Sequence, residues 1–180
     1  MNTLEQMVRK TALIASGLFL LSTTVFGQQR EFNDPQIIAV VETANRIAIN
    51  FGKMALNMSR EKAVRTFAHR MIKDHTKLLE RTIALEQELI LATQTNTIAR
   101  SLRQQEAETT EILSTKKKAN FDLAYIDHEV SFHKQIVSIV KNTLIPQARN
   151  QKLKAFLAKI SPLLEEDLKA ARNIQAEFNR

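Results

Sequence analysis

Apolar residues recur every three or four positions along most of this chain, a spacing that predicts helices rather than strands. Ile37, Val41, Ala44, Ala48, Phe51 and Ala55 mark one face of a first helix. Asp34-Pro35 should open it, with a capping side chain and a proline where a missing N–H costs nothing. Asn57-Met58-Ser59 reads as a short break, with Ser59 the expected cap of a second helix reaching about Leu91. That helix carries Val64, Ala68, Met71, His75, Leu78, Thr82, Leu85 and Leu89 on one face.

Thr93 to Thr97 is polar and predicts a loop. Residues 98–118 form a weaker helix with few anchors: Ile98, Leu102, Ile112 and Leu113. Asn120 is the expected cap of the next helix, whose stripe is Leu123, Ile126, Val130, His133, Val137, Val140 and Leu144, with Pro146 helping to end it. The last helical region begins near Asn150, and Ser161-Pro162 either starts a new helix or kinks a continuous one. Its stripe is Ile160, Leu164, Asp167, Ala171, Ile174 and Phe178. Four amphipathic helices and one weaker one predict an all-α fold, an antiparallel four-helix bundle with an additional short helix. The turn residues agree: after Gly27 the sequence holds one glycine, Gly52, and three prolines, Pro35, Pro146 and Pro162, too few for a β protein.

The N-terminus breaks the amphipathic pattern. Arg9 and Lys10 precede an apolar run from Thr11 to Leu21, and small residues up to Gly27 suit a cut ahead of Gln28. Residues 1–27 therefore read as a secretory signal, and residues 28–180 as a single helical domain. An uncleaved membrane anchor is the alternative, but the run falls short of the ~20 residues a spanning helix needs. No later stretch is apolar enough, so the mature chain is expected to be soluble and without a transmembrane segment.

Composition narrows the chemistry. With no cysteine, disulfides, thiolate nucleophiles and thiolate metal sites are excluded. One glycine in the mature part cannot build a phosphate-cradling loop or a Gly-x-Ser-x-Gly elbow. The formal charge is +7, and losing Arg9, Lys10 and Glu5 with the signal lowers it by one. That excess suits contact with an anionic membrane surface or another envelope polyanion. Acidic and basic residues are interleaved, however, and Lys116-Lys117-Lys118 suits a helix C-terminus, so a plain solvated surface is the simpler reading. Nucleic acid is not an expected partner, because export removes the target and 6% aromatic residues give few stacking platforms.

His69 and His128 fall outside the stripes and are expected in solvent. His75, His133 and Asp167 stand inside them, where a polar group costs a few kcal/mol unless it finds partners. Were they at one depth, two imidazoles and a carboxylate would suit iron, zinc or manganese. Asp74 and Glu129 flank the two histidines and could orient an imidazole. The competing reading is a hydrogen-bonded histidine pair with a structural role. Spacing favours that second reading: Glu-x-x-His is absent, with Ile72 and Val130 three positions before the histidines, and Ala48 brings no ligand from the first helix. No catalytic residue is marked out, and a non-enzymatic binding or protective role is favoured over an oxidase.

Phe67-Ala68-His69-Arg70-Met71-Ile72-Lys73-Asp74-His75-Thr76 resembles the Phe-Ala-x-x-Met-x-x-Asp-His-Thr signature of the bacterial domain-of-unknown-function 4142 family, often labelled predicted outer-membrane proteins. Phe121-Asp122, Tyr125-Ile126 and His133 resemble its Phe-Asp-x-x-Tyr segment and following histidine, and Leu153-Lys154-Ala155-Phe156 with Pro162 its last helix. The resemblance spans about residues 34–178. It implies a ferritin-like bundle in the periplasm or at the outer membrane, with no established activity. Asp122, matched through this motif, joins Asp74 and Glu129 as a carboxylate that could support the site, although a helix's first turn favours a carboxylate anyway. The family commonly has Glu at the position of Ala48 and His at that of Asp167, which implies weaker or altered metal binding here.

Overall fold

The computed structural model describes residues 32–117 and 119–180. The expected signal, residues 1–27, lies outside them. The described residues are helical and contain no strand. The helices are α1 (Asp34–Met58), α2 (Lys62–Glu88), α3 (Thr97–Ser114), α4 (Ala119–Ile139), a π turn (Val140–Leu144), the short α5 (Ile145–Gln147) and α6 (Gln151–Phe178). None is long and apolar enough to cross a membrane.

Helix α1 is the central element, packing on α2, α3 and α4, and is buried on nearly every side rather than along one stripe. Its cap is Asn33, not Asp34. The Asn33 side chain accepts from Gln36 N–H while the Gln36 side chain accepts from Asn33 N–H, a reciprocal capping box. Asp34 is left free to accept the backbone N–H groups of Arg149 and Asn150, each at 2.9 Å, which ties the start of α1 to the start of α6. At Gly52, α1 approaches α2 closely. A Cβ there would stand 2.8 Å from Ile72 Cγ1 and 3.1 Å from the Ala68 carbonyl oxygen, so the one glycine among the described residues is a packing requirement.

Three helix ends differ from expectation. Ser59 follows α1 rather than capping α2, whose cap is Glu61. Helix α2 stops at Glu88 instead of about Leu91, because Leu91 N–H bonds back to Glu86 C=O and Ile90 N–H to Gln87 C=O. This termination puts Ile90 at φ 52°, a left-handed conformation normally given to glycine. Helix α4 begins at Ala119, one residue before its expected cap Asn120.

The prolines act differently from one another. Ahead of Pro146 the helix widens into the π turn, in which Ile145 N–H reaches Val140 C=O. Proline cannot donate and its ring crowds the carbonyl four residues back, so a looser turn at that place relieves both problems. Pro162 neither starts nor ends a helix: α6 runs continuously through it. Pro162 and Ala158 are both exposed, so water can serve the carbonyl that loses its bond.

Helix α6 lies along α4 and also meets α2, which places α2, α4 and α6 around a shared interior. The α6 stripe is buried as far as Ala171, then Ile174 is partly covered and Phe178 exposed. On α4 the buried face is broader than the expected stripe: Phe121, Tyr125, Glu129, Phe132 and Ile136 are buried, whereas Leu123 is exposed.

Candidate metal centre

His75 comes from α2, His133 from α4 and Asp167 from α6, and these helices bring the three together. One ligand atom from each lies within 4.8 Å of the others, and all three residues are buried. His75 Nε2 stands 3.6 Å from Asp167 Oδ2. The two imidazole centroids are 5.7 Å apart.

What the other ring nitrogens do decides which atoms remain available. On α1, buried Asn45 donates through Nδ2 to the Val41 carbonyl at 2.8 Å, so its Oδ1 is an acceptor, 2.8 Å from His75 Nδ1. His133 Nδ1 lies 2.9 Å from the Glu129 carbonyl and 3.3 Å from Glu129 Oε2, again facing only acceptors. Both Nδ1 atoms therefore carry a proton and donate. Both Nε2 atoms are buried without a hydrogen-bond partner. Asp167 adds a third acceptor at the same place, its Oδ1 held by Arg70 at 3.0 Å and its Oδ2 turned inward. Three electron pairs meet in a low-dielectric interior, where they require a proton or a cation between them.

Electrostatics fit that requirement. Burial alone would lower the His133 pKa, but the Glu129 carboxylate, with help from Asp167 and the Glu129 carbonyl, raises it above the ordinary 6.5. Burial would raise the Asp167 carboxyl, yet the facing His75, then His133 and Arg70, hold it below its ordinary 3.8.

Of the supporting carboxylates expected from sequence, Glu129 meets His133 and is itself fully buried. Asp74 is partly buried and lines a groove between α2 and α6, while Asn45 is the group on His75. Asp122 is buried at the start of α4, eleven residues and about 16 Å of helix rise before His133. His69 is exposed as expected, but His128 is not in solvent: it packs at 4.2 Å from the Phe51 ring and 5.8 Å from Phe132.

Asn45, Arg70 and Tyr125 are site neighbours that helical periodicity did not single out. Asn45 follows stripe residue Ala44 and so stands beside the apolar stripe rather than in it. Tyr125 lies one helical turn before Glu129, and burial first, with that carboxylate second, pushes its hydroxyl pKa well above 10.0. Two spaces border the centre. His75 and His133 wall a largely apolar cavity of about 20 Å³, and Asp167 lines the α2/α6 groove of about 270 Å³.

The fold and the site together define an all-helical protein with two histidines and an aspartate gathered in its core. The chain belongs to the family Domain of unknown function (DUF4142), which it matches over residues 22–174. Among curated proteins, none matches it. A solved structure described as "CopM in the Cu(II)-bound form" is similar, with a TM-score of 0.62 over 83% of this chain and 99% of that one. At 14% identity that likeness is one of fold.

Proposed function

We propose that this chain is an exported, non-enzymatic helical bundle that holds one divalent transition-metal ion between His75, His133 and Asp167. The observation that carries this reading is that three buried residues each bring a ligand atom within 4.8 Å of the others, while both imidazoles donate at Nδ1 and leave Nε2 without a partner. Two imidazoles and a carboxylate suit zinc, copper and iron, and leave at least one position for water or an exchangeable ligand. Copper is the first ion to test. Cu(II) heads the general order of divalent affinity for such donors, and the similar fold of CopM was solved with Cu(II).

The fuller reading takes α1, α2, α4 and α6 as a ferritin-like four-helix bundle with α3 added. It places the protein in the periplasm or at the outer membrane, in a protective or envelope-associated role. The test is elemental analysis of protein purified without chelators, followed by melts with Cu(II), Zn(II), Fe(II) and Mn(II). Near-stoichiometric metal and a raised melting temperature, both lost in His75→Ala, are expected, since an ion that binds only the folded state must stabilise it. Substoichiometric metal with no shift in either protein sinks the proposal.

The Asn45 and Glu129 hydrogen bonds favour one other reading, a structural polar cluster closed by a proton. His133→Leu separates the two: metal binding predicts an intact helical signal without the ion, and a structural cluster predicts collapse. Attachment to anionic membrane through the positive net charge is a further proposal. It requires salt-sensitive binding to acidic vesicles, and retention unchanged at ~1 M salt would exclude it.

A further inference from the structure

The centre is sealed on most sides. His133 is 0% and His75 3% exposed, and the cavity they wall is almost wholly apolar, so a bare ion crossing it would lose hydration without compensation. Asp167 alone of the three lines a larger space open to solvent, the groove between α2 and α6. That groove is walled by Arg70, Asp74, Lys77 and Arg81 from α2 and by Leu163 and Glu166 from α6. Within this lining Arg70 holds Asp167 Oδ1 at 3.0 Å, and its guanidinium also lies 5.4 Å over the Phe67 ring. The other Asp167 oxygen stands 3.6 Å from the unpartnered His75 Nε2.

We infer that the ion enters and leaves through the α2/α6 groove, and that the Arg70–Asp167 ion pair is the contact that must open for it to pass. This rests on the metal-binding reading. An arriving dication meets the Asp74 and Glu166 carboxylates, which can replace part of its hydration shell before Asp167 takes it. Arg70 then works in two directions. It fixes Asp167 so that Oδ2 points inward, and as a cation beside the path it repels an ion that has not yet reached the histidines. Asp74, adjacent to His75 in sequence, thus acts on the way in rather than on the imidazole.

A route, unlike a ligand, sets rates without setting the equilibrium, because an obstacle raises the barrier equally in both directions. The experiment follows Cu(II) uptake and EDTA-driven Cu(II) release by stopped flow, alongside equilibrium affinity, in wild type and three variants. Leu163→Trp, at a partly exposed groove wall, should slow uptake and release together by about tenfold, with affinity changed less than about threefold. Arg70→Gln should accelerate both rates. Ile112→Trp, on exposed α3 away from this groove, should match wild type. Wild-type exchange rates in both Leu163→Trp and Arg70→Gln would overturn the route while leaving the metal site standing. Slowing by Ile112→Trp instead would place the route elsewhere. A wild-type protein that takes up no Cu(II) removes the metal reading and the route with it.

Discussion

Asp167 faces His75 Nε2 with one oxygen at 3.6 Å and grips Arg70 with the other at 3.0 Å. The first separation is too long for a hydrogen bond and suits two groups that share a third between them. The second leaves the inward oxygen no freedom to turn away. Asp167 is therefore both the anchor of a surface ion pair and the acidic member of the core cluster.

Asp167→Asn separates those roles. It keeps the size of the side chain but removes its charge, so affinity for a divalent ion should fall by at least about tenfold. The metal-free fold should lose a little stability, because Arg70 is partly exposed and can return to water while the depressed Asp167 pKa marks a modest gain in the folded state. Titration with Cu(II) beside metal-free melts checks both halves; undiminished affinity would exclude Asp167 as a ligand.

Glu129→Gln tests the support behind His133. Loss of this buried carboxylate should weaken metal binding by about 10- to 100-fold, the range for groups that orient a ligating histidine. Without the ion, the His133 pKa should drop, since Glu129 is the main group opposing the effect of burial. Imidazole chemical shifts followed against pH measure this, and an unmoved titration would mean Glu129 does not act on that ring.

The metal-free protein should lose stability on both sides of about pH 6.5, through different histidines. His133 has a raised folded pKa, so its contribution is complete below 6.5 and is lost as pH climbs through the folded value. His128 is lowered, by burial first and by His133 as well, against an upward pull from Glu129. Its contribution is complete above 6.5 and is lost as pH falls through its folded value. Asp167 adds a loss only below 3.8, since its folded value is depressed. Chemical unfolding from pH 4 to 8 should show that His128→Phe, which keeps an aromatic ring on Phe51 and Phe132, removes the loss just below neutrality and spares the alkaline one.

Two backbone positions carry predictions of opposite sign. Ile90→Gly should stabilise by about 1 kcal/mol, the left-handed cost to a β-branched residue less the entropy of a glycine. Ile90 is 93% exposed, so little packing is forfeited. Gly52→Ala should destabilise by about 1–3 kcal/mol despite the better helix propensity of alanine, because the new methyl meets Ile72 and the Ala68 carbonyl. Urea unfolding of the two variants settles the signs.

The sequence was most readable where one face of a helix does one thing. The α2 stripe was legible because its apolar positions meet the interior, whereas on α1, buried on nearly every side, one stripe read only part of the buried surface. On α4 the same reasoning missed Tyr125, Phe132 and Ile136, since a helix packed on several sides needs a buried face wider than a stripe. Helix ends were harder still. Nothing in Leu89-Ile90-Leu91 signals a stop, and no local rule would choose isoleucine for a left-handed turn. The site shows the same division: His75, His133 and Asp167 stood out as polar residues in apolar stripes, but their shared depth is set by how far each helix slides along its neighbours. Asn45 was hidden because a polar residue beside a stripe looks the same whether it faces water or an imidazole.

Helix α3 has no part in the centre, and that has a consequence for how the molecule breathes. It buries only Ala99, Leu102 and Leu113, and its side-chain hydrogen bonds to α1 run through Arg103 to Thr43 and Glu106 to Asn50. An ion joining α2, α4 and α6 would slow their amide exchange together, whereas α3 could peel away and return without disturbing them. The protein would then have two tempos: a slow interior set by the ligand, and a fast flank indifferent to it.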